Sequence, residues 1–282
     1  MISEQLTSKY DLLRSILGSM ESVAIGFSGG IDSTLLIRVA TEVLGDKALA
    51  VIGRSETYPT REFEEAIGLA KKFGSRYRIV NTEETDDLKF RENPPDRCYF
   101  CKTELFGKLG DIAAQEGIEW IADGTIVDDL GDFRPGMRAK SEHEVRSPLL
   151  EAEFTKDDVR TLARELGIPT WDKPSFACLS SRFPYGFGIT KENLMKVDAA
   201  ESFLRDQGLR FFRVRDHDDN TARLEIGSQE FHRFFDDAFR ASVVNHLKSL
   251  GYLYVTLDLQ GYRTGSMNEV LTEEQKEQYA GK

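Results

Sequence analysis

The stretch Val23-Ala24-Ile25-Gly26-Phe27-Ser28-Gly29-Gly30-Ile31-Asp32-Ser33 decides how the chain is read. Its first five residues are nearly continuously apolar, the pattern of a short strand in a parallel sheet covered on both faces. A helical pattern then runs from Ile31 to about Leu44, so the Ser-Gly-Gly turn sits where a buried strand hands the chain to a helix N-terminus. Consecutive glycines let the main chain approach an oxyanion closely, and Ser28, Ser33 and the N–H groups of a helix start offer donors to phosphate. An ordinary strand-to-helix turn also uses glycine. Serine on both sides, with Asp32 at this spacing, favours a phosphate site formed by Ser28, Gly29, Gly30, Asp32 and Ser33. The chain contains neither a Gly-x-x-x-x-Gly-Lys-Ser/Thr loop for a γ-phosphate nor a Gly-x-Gly-x-x-Gly dinucleotide fingerprint.

Working outward, residues 3–19 read as an amphipathic helix with Leu6, Tyr10, Leu13 and Leu17 on one stripe. Beyond the turn the patterns alternate: strand Ala48–Ile52, helix Arg61–Phe73, strand Tyr77–Val80, helix about 97–116, strand Trp120–Ala122 and helix Thr155–Leu166, closed by Gly167. Strand and helix in alternation imply an α/β fold with a doubly wound parallel sheet over residues 1–173. Residues 174–188 carry proline, glycine and serine without periodicity and read as a linker loop, with Cys178 inside it. Residues 189–282 then read as a smaller α+β domain: helix 190–206, strands 210–215 and 222–226, helix 229–249 and strand 252–257. A polar tail from about Thr272 forms a terminal helix or a frayed end.

Length and composition narrow the function. The 282 residues suffice for about two domains, each with its own core. Lys and Arg number 37 against 48 Asp and Glu, and a net charge of −11 repels a phosphate backbone, so nucleic acid is not an expected partner. No apolar run approaches the roughly 20 residues that span a bilayer. The start Met-Ile-Ser-Glu-Gln has neither the basic end nor the apolar core of a secretory signal, which points to the cytoplasm. Three cysteines are too few, and odd in number, for a disulfide framework.

Two of those cysteines, Cys98 and Cys101, follow Pro94-Pro95-Asp96, so Asp96 is placed to cap a helix whose first turn presents both thiols on one face. A helix N-terminus lowers a thiol's pKa and favours the metal-binding thiolate. Cys178 comes much later, in the loop. Three cysteines cannot complete a four-thiolate zinc site, and His143, His217, His232 and His246 lack ligand spacing. On a four-iron cluster, three thiolates would leave one iron open. Two apolar cysteines and one incidental loop cysteine remain the competing reading.

The hexapeptide Ser28–Ser33 resembles the SGGxDS signature of the ATP pyrophosphatases, which cleave ATP between its α and β phosphates. GMP synthetase, NAD synthetase, argininosuccinate synthetase and tRNA thiolases share it. Further blocks are similar to the LarE family: 97–102 around the two cysteines, 123–125 with Asp128, Asp129 and 131–136, Ser147-Pro148-Leu149, Lys173–Arg182, and Gly261–Asn268. That family consists of ATP-dependent pyridinium-3,5-biscarboxylic acid mononucleotide sulfurtransferases of nickel-pincer cofactor synthesis.

The resemblance implies that ATP adenylates a substrate carboxylate and that a sulfur nucleophile displaces AMP to leave a thiocarboxylate. It implies Cys178 as the sulfur-handling cysteine, Glu201 as an active-site glutamate, and Arg213 and Arg215 as contacts to the substrate phosphate. Members with the single loop cysteine give up its sulfur. Members with all three hold a [4Fe-4S] cluster on them, here Cys98, Cys101 and Cys178. It also implies a homo-oligomer, a hexamer in that family; the sulfide donor stays unknown. Alternation independently puts Arg213 and Arg215 on one strand face, roughly 6.5–7 Å apart, where two guanidiniums suit a phosphate and a solvated face is the plain alternative. Arg263 is a further anion candidate. Asp123, then Asp128, Asp129 and Asp132, follow a strand end and are candidates to hold Mg²⁺ with ATP, or simple turn residues. Lys102 either neutralises a phosphate or lies idle. A tRNA thiolase, sulfur transfer from a sacrificial Cys178 without a cluster, and a nucleotide-binding sensor without turnover are the alternative functions.

Overall fold

The computed structural model describes residues 2–131, 135–174, 177–218 and 220–280; Asp132, Ser175 and Phe176 lie outside the described residues. Helix α1 (Glu4–Met20) is capped by Ser3, whose side chain accepts from the Leu6 N–H. Then follow β1 (Val23–Gly26), α2 (Ile31–Leu44), β2 (Ala48–Arg54), α3 (Thr60–Lys72) and β3 (Arg76–Asn81). After them come α4 (Leu88–Arg91), α5 (Arg97–Gln115), β4 (Trp120–Ala122), α6 (Gly136–Glu142), α7 (Pro148–Glu151) and α8 (Lys156–Glu165). The four strands pair in parallel in the order β3-β2-β1-β4.

Side-chain alternation shows why these strands read as continuously apolar. Val23, Ile25, Ala48, Ala50 and Ile52 face a layer holding Leu13, Leu36, Ala66 and Leu162 of α1, α2, α3 and α8. Ala24, Leu49 and Val51 face the opposite layer, with Phe106 and Leu109 of α5 and Ala139 of α6. Both faces are covered, as the doubly wound α/β reading requires. The expected elements of this sheet fall within a residue or two of those observed. Helices α4, α6 and α7 were not expected, because helices this short show no stable period.

The later residues form α9 (Lys191–Asp206), β5 (Phe212–His217), β6 (Thr221–Ile226), α10 (Asp237–Ser249), β7 (Tyr254–Leu257) and α11 (Glu273–Ala280). Their sheet has the order β5-β6-β7, antiparallel then parallel. It has its own core, including Leu204, Phe212, Leu224, Val243, Leu247 and Tyr252. Two expectations are corrected. The strand placed at 210–215 starts at Phe212, because the N–H groups of Arg210 and Phe211 donate to the Glu230 carboxylate at 2.8 and 2.9 Å instead of to a ladder. The single helix expected over 229–249 breaks into a 3-10 turn, Ser228–Phe235, and α10, because the Asp236 side chain accepts from the Phe239 N–H and starts a new helix.

The segment read as a linker is largely irregular, yet it is packed. Leu179, Phe183 and Ile189 are buried with Phe90 of α4 and with Leu194 and Val197 of α9, while Phe100 and Cys101 of α5 lie against them. Asn93, wholly buried, donates its amide to the Pro184 carbonyl at 2.8 Å, and its own carbonyl accepts from the Gly186 N–H at 2.9 Å. The Arg91 carbonyl accepts from the Ile189 N–H at 2.8 Å. This loop is thereby seated on the chain that leads into the Cys98–Cys101 helix.

Phe183→Ala should remove about 3–5 kcal/mol of unfolding free energy, as for a buried aromatic lost from a packed core. Urea denaturation measures this, and a loss below about 1 kcal/mol would mean that the loop is only loosely seated.

Candidate active site

The turn between β1 and α2 is built to leave its main chain accessible. Gly30 holds the N-cap of α2 and brings no side chain to compete for the first-turn N–H groups. Gly29 has φ +63°, and a Cβ there would meet the Ala66 Cβ at 3.1 Å, so both conformation and space demand glycine. The Ser28 and Ser33 hydroxyls bond each other at 3.1 Å, and the Ser33 hydroxyl also donates to the Gly30 carbonyl at 3.1 Å. Asp123-Gly124-Thr125 backs this turn: a Cβ on Gly124 would stand 2.9 Å from the Ser33 nitrogen.

Two consecutive residues beyond β2 join this turn to the cysteine loop. The Tyr58 hydroxyl donates to the Ser28 carbonyl. The Thr57 carbonyl accepts from the N–H of Leu179, the neighbour of Cys178, at 2.8 Å. Burial, with Glu62 and Glu65 nearby, pushes the Tyr58 phenol well above its ordinary value and keeps it a donor.

Asp32 takes the Lys156 ammonium on both oxygens, at 2.8 and 2.7 Å. Burial raises its pKa, Lys156 opposes that, and Asp129 adds to it. Lys156 opens α8, where a capping box of Thr155 and Asp158 fixes the helix start. A lysine thus reaches the turn before α2 from a distant helix. No sequence signal announced it, since its spacing to the turn is set by the fold.

Of the aspartates read as Mg²⁺ candidates, the three that are described, Asp123, Asp128 and Asp129, each hold a neighbour. Asp123 accepts from the Thr125 N–H and hydroxyl at 3.1 and 2.7 Å and from the Ser147 hydroxyl, with the Lys140 ammonium 3.6 Å away. Asp128 accepts from the Lys156 N–H at 2.9 Å and Asp129 from the Ile126 N–H at 3.0 Å. Among the described residues no group of three or more His, Cys, Asp and Glu converges on the position of one metal ion.

Cys98, Cys101 and Cys178 are all thiols and all partly buried. Cys98 and Cys101 lie in the first turn of α5, as the spacing required; Asp96 takes the N-cap position but makes no side-chain cap bond. The expected lowering of thiol pKa is reversed at Cys101. Burial pushes it well above its ordinary value, and Glu84, Cys178 and Cys98 add to the rise. The fold thereby brings the loop cysteine and the helix pair into one electrostatic neighbourhood. Lys102 packs its stem where a Cβ on Gly136 would sit.

Glu201 of α9 is buried, and its two oxygens take the Nε and Nη2 of Arg182 at 2.7 and 2.8 Å, with the Val214 N–H at 3.0 Å. Burial alone would raise its pKa; Arg182, then Arg213 and the Val214 N–H, outweigh that and hold the carboxyl below its ordinary value. Arg182 also donates to the carbonyls of Ala177 and Cys178 at 3.1 and 3.2 Å, so Glu201 positions the cysteine loop through it. Arg182 is the residue the sequence reading left without a role.

Arg213 and Arg215 do share a face of β5, but differ in burial. Arg215 is buried, donating to the Ser181 carbonyl, Glu225 and Ser266, each at 2.7 Å. Arg213 lies over the Tyr262 ring, 4.9 Å from its centroid. Burial and the charges of Arg182 and Arg215 push its pKa down to about 10, although Glu201 and Tyr262 oppose them. Arg182, Arg213 and Arg215 thus gather beside the cysteine loop, with Glu201 and Glu225 paired to the first and last. Arg263 instead pairs with Glu269 at 3.0 Å at the surface.

A cavity of about 440 Å³ opens at the carboxyl ends of β2 and β3, walled by Arg54, Ser55, Tyr58, Asn81 and Thr82 and closed by Lys191 of α9. Ligands of open α/β sheets sit at such strand ends. Lys191 reaches Glu56 at 3.0 Å and Asp86 at 3.3 Å beside it.

Comparison with known proteins agrees with this architecture. The family model described as NAD synthase matches residues 7–99. A GMP synthase (glutamine-hydrolyzing) from Chlamydia caviae is 28% identical over 204 residues, 65% of this chain and 38% of that protein. The parallel sheet and the Ser28–Ser33 turn at its β1 end thus define an enzyme of the pyrophosphatase-loop class. The pyridinium-3,5-bisthiocarboxylic acid mononucleotide synthase of Lactiplantibacillus plantarum is 42% identical over 276 residues, 98% of this chain and 99% of that protein. An uncharacterized protein of Synechocystis is also 42% identical, over 95% of this chain and 99% of its own. The chain belongs to the LarE family. No helix among the described residues is long and apolar enough to cross a membrane.

Glu201→Gln leaves the Arg182 guanidinium buried without its counter-charge and should cost about 3–5 kcal/mol at neutral pH. Because the folded carboxyl titrates below its unfolded value, the gap between wild type and variant is full above the ordinary carboxylate range and shrinks as pH falls through the folded value. Urea unfolding of both proteins across that range tests this; a gap independent of pH would contradict the pairing.

Proposed function

We propose that this enzyme uses ATP to adenylate a carboxylate of pyridinium-3,5-biscarboxylic acid mononucleotide and converts it to a thiocarboxylate. The carboxylate oxygen attacks the α-phosphorus and pyrophosphate leaves; a sulfur nucleophile then attacks the acyl carbon and AMP leaves. The reading is carried by one juxtaposition: Thr57 and Tyr58, adjacent in the chain, hold the Cys178 loop and the phosphate turn respectively. Activation and sulfur delivery are two halves of one thiolation, and they need to be neighbours, since an acyl adenylate exposed to water hydrolyses.

In this reading the first-turn N–H groups of α2, with Ser28, Gly29, Gly30 and Ser33, take the departing pyrophosphate. Lys156, released from Asp32, supplies positive charge there. Mg²⁺ would arrive with the triphosphate, Asp32 and Asp129 being the carboxylates that share that neighbourhood. The cavity at the ends of β2 and β3 would take the nucleoside. The guanidinium of Arg213, with Arg182 and Arg215 around it, suits the substrate's phosphate. Glu201 would act by fixing Arg182 and the loop of Cys178.

Cys98, Cys101 and Cys178 would hold a [4Fe-4S] cluster. A single ion needs sulfurs within about 2.3 Å of one point, whereas a cluster spreads its thiolates over several irons. Cys178 and Cys98 both act electrostatically on Cys101, and the buried Glu84 Oε2 in the same neighbourhood has no hydrogen-bond partner. When bound, such a cluster would supply a sulfide at its open iron.

Pyrophosphate and AMP should form in equal amounts when ATP and the pyridinium mononucleotide are both present. Asp32→Ala and Gly30→Val should lower that release by about 100-fold or more; unchanged release in both would overturn the site. Intact-protein mass before and after turnover separates the sulfur sources. An unaltered mass supports the cluster, and loss of one sulfur at Cys178 means that the cysteine is consumed.

A further inference from the structure

Glu84 opens a 3-10 turn, Glu84–Asp86, just beyond β3, and is 3% exposed. Its Oε1 accepts from the Ser55 hydroxyl at 2.7 Å and the Thr57 hydroxyl at 2.6 Å. The Cys101 thiol donates to the same oxygen at 3.8 Å. The Ser55 hydroxyl in turn accepts from the Thr57 N–H at 2.9 Å, which locks the turn that these two residues share. From there the Thr57 carbonyl reaches the Leu179 N–H, one residue from Cys178. The Glu84 Oε2 is buried without a hydrogen-bond partner. Burying a carboxylate in this way is costly, and apolar packing would have joined the same segments without that cost.

We propose that Glu84 is a positioning residue that sets the spacing between Cys101 and Cys178. One carboxylate oxygen is the common anchor of the helix bearing Cys101 and, through Thr57, of the loop bearing Cys178. The inference deepens the sulfur-handling reading of the cysteines and rests on it for its purpose, but the spacing can be measured without it. The turn of Ser55 and Thr57 also carries Tyr58, so the same anchor fixes the cysteines relative to the phosphate turn.

The test uses full-length, metal-free protein in a Cys98→Ser background, where only Cys101 and Cys178 remain. A short bismaleimide is added, the Cys101–Cys178 cross-link is quantified by peptide mass spectrometry, and the rate is normalised to labelling of each thiol by N-ethylmaleimide. Glu84→Gln keeps the acceptor oxygen and should cross-link at the parent rate. Glu84→Ala should lose about tenfold or more in normalised rate, the expected fall in effective concentration when an anchor is removed. Thr57→Val keeps shape but breaks the link to the carboxylate and should also fall; it serves where Glu84→Ala does not fold. Cross-linking at the parent rate in both Glu84→Ala and Thr57→Val, or an equal fall in Glu84→Gln and Glu84→Ala, would overturn the proposal. Iron content after anaerobic reconstitution of the parent protein with its three cysteines is read in parallel. An iron-free parent whose variants still lose cross-linking supports the positioning role while rejecting the cluster.

Discussion

The short turn beyond β2 is where the site depends on one constraint. Strand β2 is buried on both faces and paired on both edges, so its carboxyl end is among the most fixed points of the fold. Ser55, Thr57 and Tyr58 leave that end and between them bond three parts of the site: Glu84, the Cys178 loop and the Ser28–Ser33 turn. Elements far apart in sequence are thereby referred to one rigid strand. Chemistry that joins an activated carboxyl group to a sulfur atom needs this kind of shared reference, because small misplacements between reacting groups are expensive in rate.

Buried charge performs a related task farther along the chain. Arg182 and Glu201 are both almost wholly buried and form a two-point pair, and Arg215 pairs with Glu225 on the neighbouring strand. Such pairs seldom add much net stability over apolar packing, but removing one partner is costly, so they fix geometry. Here they tie the loop of residues 177–182 to α9 and to β5. Arg213 lies beside them, and burial together with the charges of Arg182 and Arg215 lowers its pKa. A field of that sign suits an anionic substrate in a chain whose overall charge is −11.

The strands and long helices were legible because their signals are local: a period, a cap, a glycine. The shape of the Ser28–Ser33 turn was legible for the same reason, since Gly29 is required by its φ of +63° and by the closeness of α3. What escaped was everything set by distance through space. Lys156 pairs with Asp32 across the fold, and Arg182 reaches Glu201 from an aperiodic loop. Glu84 looked like one acid among 48 Asp and Glu. The Cys178 loop read as a linker, since apolar residues that pack against three different helices follow no period. Cys101 inverts its expected acidity, because burial and neighbouring negative groups outweigh the helix N-terminus. Nor did the sequence show that Arg215 is engaged with Glu225, Ser266 and Ser181.

The most direct measurement of the central claim is a crystal structure of the protein soaked with a slowly hydrolysed ATP analogue. The account predicts the β and γ phosphates against the main chain of Ser28–Ser33, with the α-phosphate directed toward the loop of Cys178. Phosphates bound elsewhere, with the Ser28–Ser33 turn empty, would contradict it.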